Sequence, residues 1–206
     1  MIKEFSRAIF LDRDGTILKE VTGESPAAEA YGYLTKIEQV ELIEGSASAI
    51  ALAKKLGFKV IVITNQSAIA RGYLTEGDLI LIHQRMNELL LCENPCAVID
   101  DIYYCPFYAG GVVAKYSKAD NCRKPAAGMV MKAKEKHNIE LSASYMIGDY
   151  ITDMQCGANA GLNNILVLTG HGKQTYSKCL DEKLNVEFIA NNLFDAVKYI
   201  QANTGK

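Results

Sequence analysis

The sequence has no excess of charge of either sign: 22 lysines and arginines stand against 24 aspartates and glutamates, a net charge of −2. No block of Lys or Arg stands out, so the electrostatic footprint of a nucleic-acid binder is missing. Long apolar runs are missing too; the longest fall far short of a membrane span. Met1-Ile2-Lys3-Glu4-Phe5 runs straight into an apolar segment without the h-region of a signal peptide. Internal repeats and low-complexity linkers are absent. These absences lead to an expectation of a soluble, cytoplasmic, monomeric protein with a small-molecule partner, and no nucleic acid or membrane. In such a compartment the six cysteines (Cys92, Cys96, Cys105, Cys122, Cys156, Cys179) read as free thiols or metal ligands rather than a disulfide framework.

What is present is enough apolar matter, 49% of 206 residues, for one domain with a full core. Short apolar runs at Ala8–Leu11, Lys59–Ile63, Ile99–Tyr104, Tyr145–Ile147 and Ile165–Leu168 have the length of buried strands. Helical patterns lie between them. Ser46–Leu56 ends at Gly57, a natural helix stop. Thr75–Leu91 puts Leu79, Ile82, Met86, Leu89 and Leu90 on one face, and Thr75 with Asp78 can cap it. Ala127–His137, Thr152–Ala160 and a final segment with Leu193, Ala196, Val197 and Ile200 complete the set. The alternation predicts an α/β fold, a parallel sheet with helices on both faces. The chain reads as one domain over 1–206, with loop insertions at about 19–37 and 105–123.

The most informative stretch is Ala8–Leu11 followed by Asp12-Arg13-Asp14-Gly15-Thr16. Two carboxylates two residues apart share a side of extended backbone and repel unless a cation or proton relieves them. An ordinary hairpin turn at Asp-Gly is the competing reading. In an open parallel sheet the ligand crevice lies beyond the carboxyl ends of the strands. Thr64-Asn65-Gln66-Ser67, Arg123-Lys124-Pro125 and Gly148-Asp149 through Asp153 all follow strands or precede helices, so they can meet Asp12 and Asp14 there. Carboxylates, a lysine, an arginine and a hydroxyl around one point suit phosphoryl transfer: a nucleophilic Asp, an acid/base carboxyl, cationic stabilisation and a hard divalent metal.

Asp12-Arg13-Asp14-Gly15-Thr16, then Thr64, then Lys124, then Asp149 with Asp153, resemble the four motifs of the haloacid dehalogenase (HAD) superfamily of aspartate-nucleophile phosphatases. Gly32-Tyr33, Thr64-Asn65-Gln66-Ser67, Ile69-Ala70-Arg71-Gly72-Tyr73, Cys105-Pro106, Cys122-Arg123-Lys124-Pro125 and Gly128-Met129 resemble, more narrowly, the D,D-heptose 1,7-bisphosphate phosphatase family, related to histidinol-phosphate phosphatases. The resemblance implies a Rossmann-like HAD fold without a large cap domain. It implies Asp12 as nucleophile, Asp14 as acid/base, and Mg²⁺ on Asp12, the main chain at Asp14, and Asp149, with Asp153 in support. Thr64 and Lys124 would stabilise the transferring phosphoryl group. Tyr33, Asn65, Gln66 and Ser67 would line the substrate site, and Arg123 would hold the part of a small sugar phosphate that is not transferred.

The chain also departs from these relatives. Many carry a structural zinc on Cys-Pro-His-His and a later Cys-x-Cys; here Phe107 and Asp120 occupy two ligand positions. Cys105 and Cys122 alone cannot close a tetrahedral site, so zinc is expected to be absent and the loop to be held by Phe107, Tyr108 and Tyr116. The segment Val21–Ala30 looks long, and Tyr150 stands where relatives often have lysine. Arg71 reads as a loop-shaping residue, His83 as solvated or partly packed, and His137 and His171 have no motif around them. Competing functions are a histidinol-phosphate phosphatase, a polynucleotide 3′-phosphatase, opposed by the missing basic patch, and a non-catalytic binding module, opposed by the intact motifs.

Overall fold

The apolar runs form strands β1 (Ala8–Leu11), β2 (Lys59–Asn65), β3 (Asp101–Cys105), β4 (Tyr145–Gly148) and β5 (Asn163–Val167), joined by a three-residue edge strand β6 (Phe188–Ala190). The computed structural model describes residues 5–21 and 32–204. All strand pairs are parallel, in the order β3-β2-β1-β4-β5-β6. Both edges of β1 are taken by strands from much later in the chain, so Asp14-Gly15 does not turn a hairpin. The insertion expected over 21–30 lies almost wholly outside the described residues.

Alternation along each buried strand splits the core in two. Ile9, Leu11, Val60, Val62 and Ile147 point to a face covered by α1 (Ser46–Lys55), α3 (Glu76–Glu93) and α7 (Leu193–Asn203). Ala8, Phe10, Ile61, Ile63 and Met146 point to the other, covered by α4 (Gly128–His137), α5 (Ile151–Ala160) and α6 (Gly172–Asp181). A one-turn helix, α2 (Ser67–Ala70), follows β2 directly. This is the expected α/β layering.

Helix boundaries follow the expected chemistry. Gly57 closes α1 with φ +81°, a left-handed conformation that suits glycine. At the start of α3 the Asp78 N–H donates to Thr75 Oγ1 at 3.1 Å, and the Thr75 N–H donates to Asp78 Oδ2 at 3.1 Å. On α3 the buried face is Leu79, Ile82, His83, Met86 and Leu90, so His83 belongs to the core rather than to solvent. Among the described residues, no helix is long and apolar enough to cross a membrane.

Strand order reverses between β1 and β4. That switch point opens a crevice beyond the strand ends, because the following connections leave in opposite directions. Asp12 follows β1 there and Asp149 follows β4.

Candidate active site

A cavity of about 270 Å³ lies at the switch point. Asp12, Asp14, Tyr33, Thr64, Asn65, Gln66, Ser67, Arg123, Lys124, Asp149 and Asp153 all line it. Four separate strand ends and their loops therefore bring the candidate residues together.

Its centre is a buried cluster of opposite charges. Lys124 Nζ donates to Asp12 Oδ1 at 2.8 Å and to the Ile63 carbonyl at 2.9 Å, and pairs with Asp153 Oδ1 at 2.6 Å. Its three protons thus have three acceptors. Burial works against the Lys124 charge, but facing Asp12 and Asp153 outweighs burial and holds the ammonium above its usual range. The other oxygen of Asp153 accepts from the Tyr150 N–H at 3.0 Å at the start of α5. Asp153 therefore fixes both the helix and the lysine.

Carboxylates outnumber the lysine. Oxygens of Asp12, Asp149 and Asp153 lie within 4.8 Å of one another, all three residues buried. Desolvation raises the Asp12 carboxyl to about 7; Lys124 opposes this, while Asp153 and Asp14 add to it. Desolvation, with Asp12 and Asp153 beside it, raises Asp149 to about 9, although the His171 N–H donates to its Oδ2 at 2.8 Å. A hard divalent cation fits this donor set, since it would offset charge that a single ammonium leaves uncompensated. Backbone geometry leaves the space: a Cβ on Gly15, whose φ is +78°, would sit 2.3 Å from Asp149 Oδ2.

Several predicted residues carry one another. The Lys124 N–H donates to Asn65 Oδ1 at 3.0 Å, and Asn65 Nδ2 donates to the Lys124 carbonyl at 3.1 Å. Asn65 thus clamps the main chain that delivers the lysine. Gln66 Nε2 donates to Thr64 Oγ1 at 2.8 Å and to Asp14 Oδ2 at 3.0 Å. Tyr33 and Ser67 share a hydroxyl hydrogen bond of 2.8 Å. Arg123 is half-buried, with Nη1 donating to the Phe107 carbonyl at 3.4 Å and its guanidinium 5.2 Å from the Tyr108 ring centre. Arg71 lies 4.2 Å from the same ring.

Other residues at the site were given no role by the sequence reading. Thr16 Oγ1 donates to Asp149 Oδ1 at 3.3 Å. His171, whose imidazole packs edge-on against Tyr150 and lies 3.0 Å from Glu20, closes one wall of the cavity. Arg13 is fully buried behind Asp14 and touches His83.

The cysteine reading needs correcting. Cys105 and Cys122 are not free thiols in the structure; they form a disulfide with a Cα–Cα distance of 5.5 Å. Cys105 ends β3, and the turn before Lys124 returns to it: Asp120 Oδ1 accepts from the Cys122 N–H at 2.9 Å and bends the chain back. Phe107 packs against Tyr116 at 6.0 Å between ring centres, while Tyr108 serves Arg71 and Arg123 instead. The other four cysteines are free.

Similarity to known proteins matches this geometry. A family model for HAD-hydrolase-like proteins matches residues 121–196. The D-glycero-D-manno-heptose-1,7-bisphosphate 7-phosphatase of Chlorobaculum tepidum is 36% identical over 199 residues, 94% of each chain. The Yersinia pestis D-glycero-beta-D-manno-heptose-1,7-bisphosphate 7-phosphatase is 35% identical over 196 residues, 95% of each. The chain belongs to this family. As a HAD phosphatase of this family it is an enzyme, a phosphoric monoester hydrolase. The crystal structure of D,D-heptose 1,7-bisphosphate phosphatase from B. bronchiseptica, complexed with magnesium and phosphate, superposes on this HAD phosphatase with a TM-score of 0.79. The two are 27% identical, over 95% of this chain and 98% of that one.

Proposed function

We propose that this phosphatase removes one phosphate from D-glycero-D-manno-heptose 1,7-bisphosphate, at the 7-position, through an aspartyl-phosphate on Asp12. The observation that carries the reading is the Asp12 carboxylate at the switch point, facing Lys124, Asp149 and Asp153 in one cavity. Asp12, the main chain at Asp14, and Asp149 would hold Mg²⁺, which supplies charge neutralisation at the transferring oxygens when bound. The relative from B. bronchiseptica is complexed with that metal and with phosphate.

In the first step an Asp12 oxygen forms a bond to phosphorus as the bond to the sugar oxygen breaks. Asp14 gives its proton to that departing oxygen. Water then attacks phosphorus, the Asp12–phosphorus bond breaks, and the water proton returns to Asp14. Thr64 and Lys124 face the transferring oxygens from β2 and the turn before α4, respectively, and Lys124 keeps Asp12 aimed. Tyr33, Asn65, Gln66 and Ser67 form the wall along which the sugar lies.

Arg123 has a guanidinium edge at the cavity and binds the phosphate that stays. Arg123→Ala should lower kcat/KM for the bisphosphate about 10- to 150-fold, from a lost charge-assisted hydrogen bond of roughly 1.5–3 kcal/mol. It should change little for p-nitrophenyl phosphate. Equal losses on both would remove the distal-phosphate role. The same assay run on histidinol phosphate and on 3′-phosphorylated DNA tests the substrate: faster turnover of either would displace the heptose bisphosphate.

The same reading includes no zinc. Its support is that Phe107 and Asp120 stand at two of the ligand positions and that the two sulfurs are engaged with each other. Denatured without reductant, the protein should then show four titratable thiols, those of Cys92, Cys96, Cys156 and Cys179. After reduction it should show all six cysteines. Elemental analysis should find no stoichiometric metal besides added Mg²⁺. One zinc per chain, with six thiols released by a chelator, would reverse the assignment.

A further inference from the structure

An arginine inside a protein is costly unless every donor is matched, and Arg13 is fully buried. Its guanidinium is turned back onto the next residue: Nε donates to Asp14 Oδ1 at 3.0 Å and Nη2 to Asp14 Oδ2 at 2.8 Å. The third nitrogen, Nη1, lies 3.1 Å from Nε2 of His83 on α3, seventy residues along the chain. Because arginine only donates, that imidazole nitrogen is the acceptor, and His83 is neutral with its proton on Nδ1. Burial, together with the Arg13 charge, lowers His83 to about 3, which keeps it neutral at neutral pH.

A structural role alone gives no reason for this arrangement, since apolar residues of similar volume serve a core as well as a buried ion pair does. The arrangement does hold one carboxylate still. Among the described residues, Asp14 Oδ2 takes two donors, Arg13 Nη2 and Gln66 Nε2, while Oδ1 takes Arg13 Nε. The Asp14 side chain is 29% exposed, and Asp14 lines the cavity.

We propose that Arg13 and His83 are positioning residues for Asp14: His83 locks the Arg13 fork, and the fork presents Oδ1 of Asp14 to the oxygen that leaves. This rests on the acid/base role given to Asp14 above. The proton transferred in the first step then passes from Asp14 to the sugar oxygen, which leaves as the hydroxyl. Neither Arg13 nor His83 touches substrate. Their effect scales with how much the leaving group needs a proton. A sugar alkoxide needs one; p-nitrophenolate leaves without it.

Single-turnover rapid-quench measurements with Mg²⁺ on the heptose bisphosphate and on p-nitrophenyl phosphate test this. His83→Leu should slow the first turnover of the sugar phosphate about tenfold, at the low end of what a positioned acid contributes, and that of the aryl phosphate much less. KM should stay within about twofold of the wild type, because only an interaction of the transition state is weakened. His83→Gln, whose amide oxygen can accept from Arg13, should restore most of the rate. Equal losses on both substrates, a loss confined to KM, or a Gln variant as slow as the Leu variant would overturn the proposal. Asp14→Asn, run in parallel, separates the two levels. If it slows both substrates alike, the acid role of Asp14 falls. If it is selective and His83→Leu is not, only the positioning role falls.

Discussion

Asp12→Asn should abolish phosphate release while leaving the fold intact or firmer. An amide oxygen is a poor nucleophile, and loss of the covalent nucleophile should lower kcat by roughly 10⁴-fold or more. The same change removes one carboxylate from a buried cluster where Asp12, Asp149 and Asp153 crowd within 4.8 Å. Lys124 keeps two of its three acceptors, Asp153 and the Ile63 carbonyl. Relief of like-charge repulsion therefore offsets the lost ion pair, and the variant's melting temperature without divalent cation should equal or exceed that of the wild type. Catalytic sites commonly trade stability for function in this way. Phosphate release at near wild-type rates, or wild-type activity unchanged by EDTA, would remove Asp12 from the chemistry. Inactivity with a collapsed melting temperature would show instead that Asp12 is needed for folding.

Most of the scaffold was legible because the sheet is buried on both faces. Four- to seven-residue apolar runs then announce strands such as β1 and β2, and the spacing of Leu79, Ile82, Met86 and Leu90 announces α3. Besides the one-turn α2, two elements escaped for a physical reason. The buried face of α6 is Gly172, Thr175 and Cys179, which is small or polar and leaves no large apolar stripe. β6 is three residues at the sheet edge, half-covered, too short to carry a period.

The candidate site divides in the same way. Residues in local motifs at strand ends, from Asp12 and Asp14 to Asp149 and Asp153, meet in one cavity as expected, because a parallel sheet sends all its strand ends to one side. The supporting residues were invisible. His83 read as solvated or partly packed and Arg13 received no role, since their pairing joins positions seventy residues apart. His171 reaches Asp149 only through a connection between β5 and α6, and α6 itself was not foreseen. The Cys105–Cys122 bond depends on the turn at Asp120, which compartment and ligand spacing do not report.

Lys124 is a residue on which stability and chemistry should both depend. It is 3% exposed, and its ammonium is the positive charge between Asp12 and Asp153. Lys124→Met keeps the length of the side chain but leaves two buried carboxylates without their counter-charge. Breaking a buried pair from one side costs about 3–5 kcal/mol, much more than the surface pairs of this protein would. The loss should be greatest without metal. Added Mg²⁺ should raise the melting temperature more in the variant than in the wild type, because the site then holds the same carboxylates with no ammonium to repel the cation. Turnover should nonetheless fall about 10²- to 10³-fold, the scale for removing one preorganised donor at a developing charge. Stability without metal and turnover would thus both fall, while the stabilisation gained from metal would grow. A variant that melts like the wild type without metal would mean that the carboxylates do not need the lysine. A variant that turns over normally would mean that Lys124 serves the fold alone.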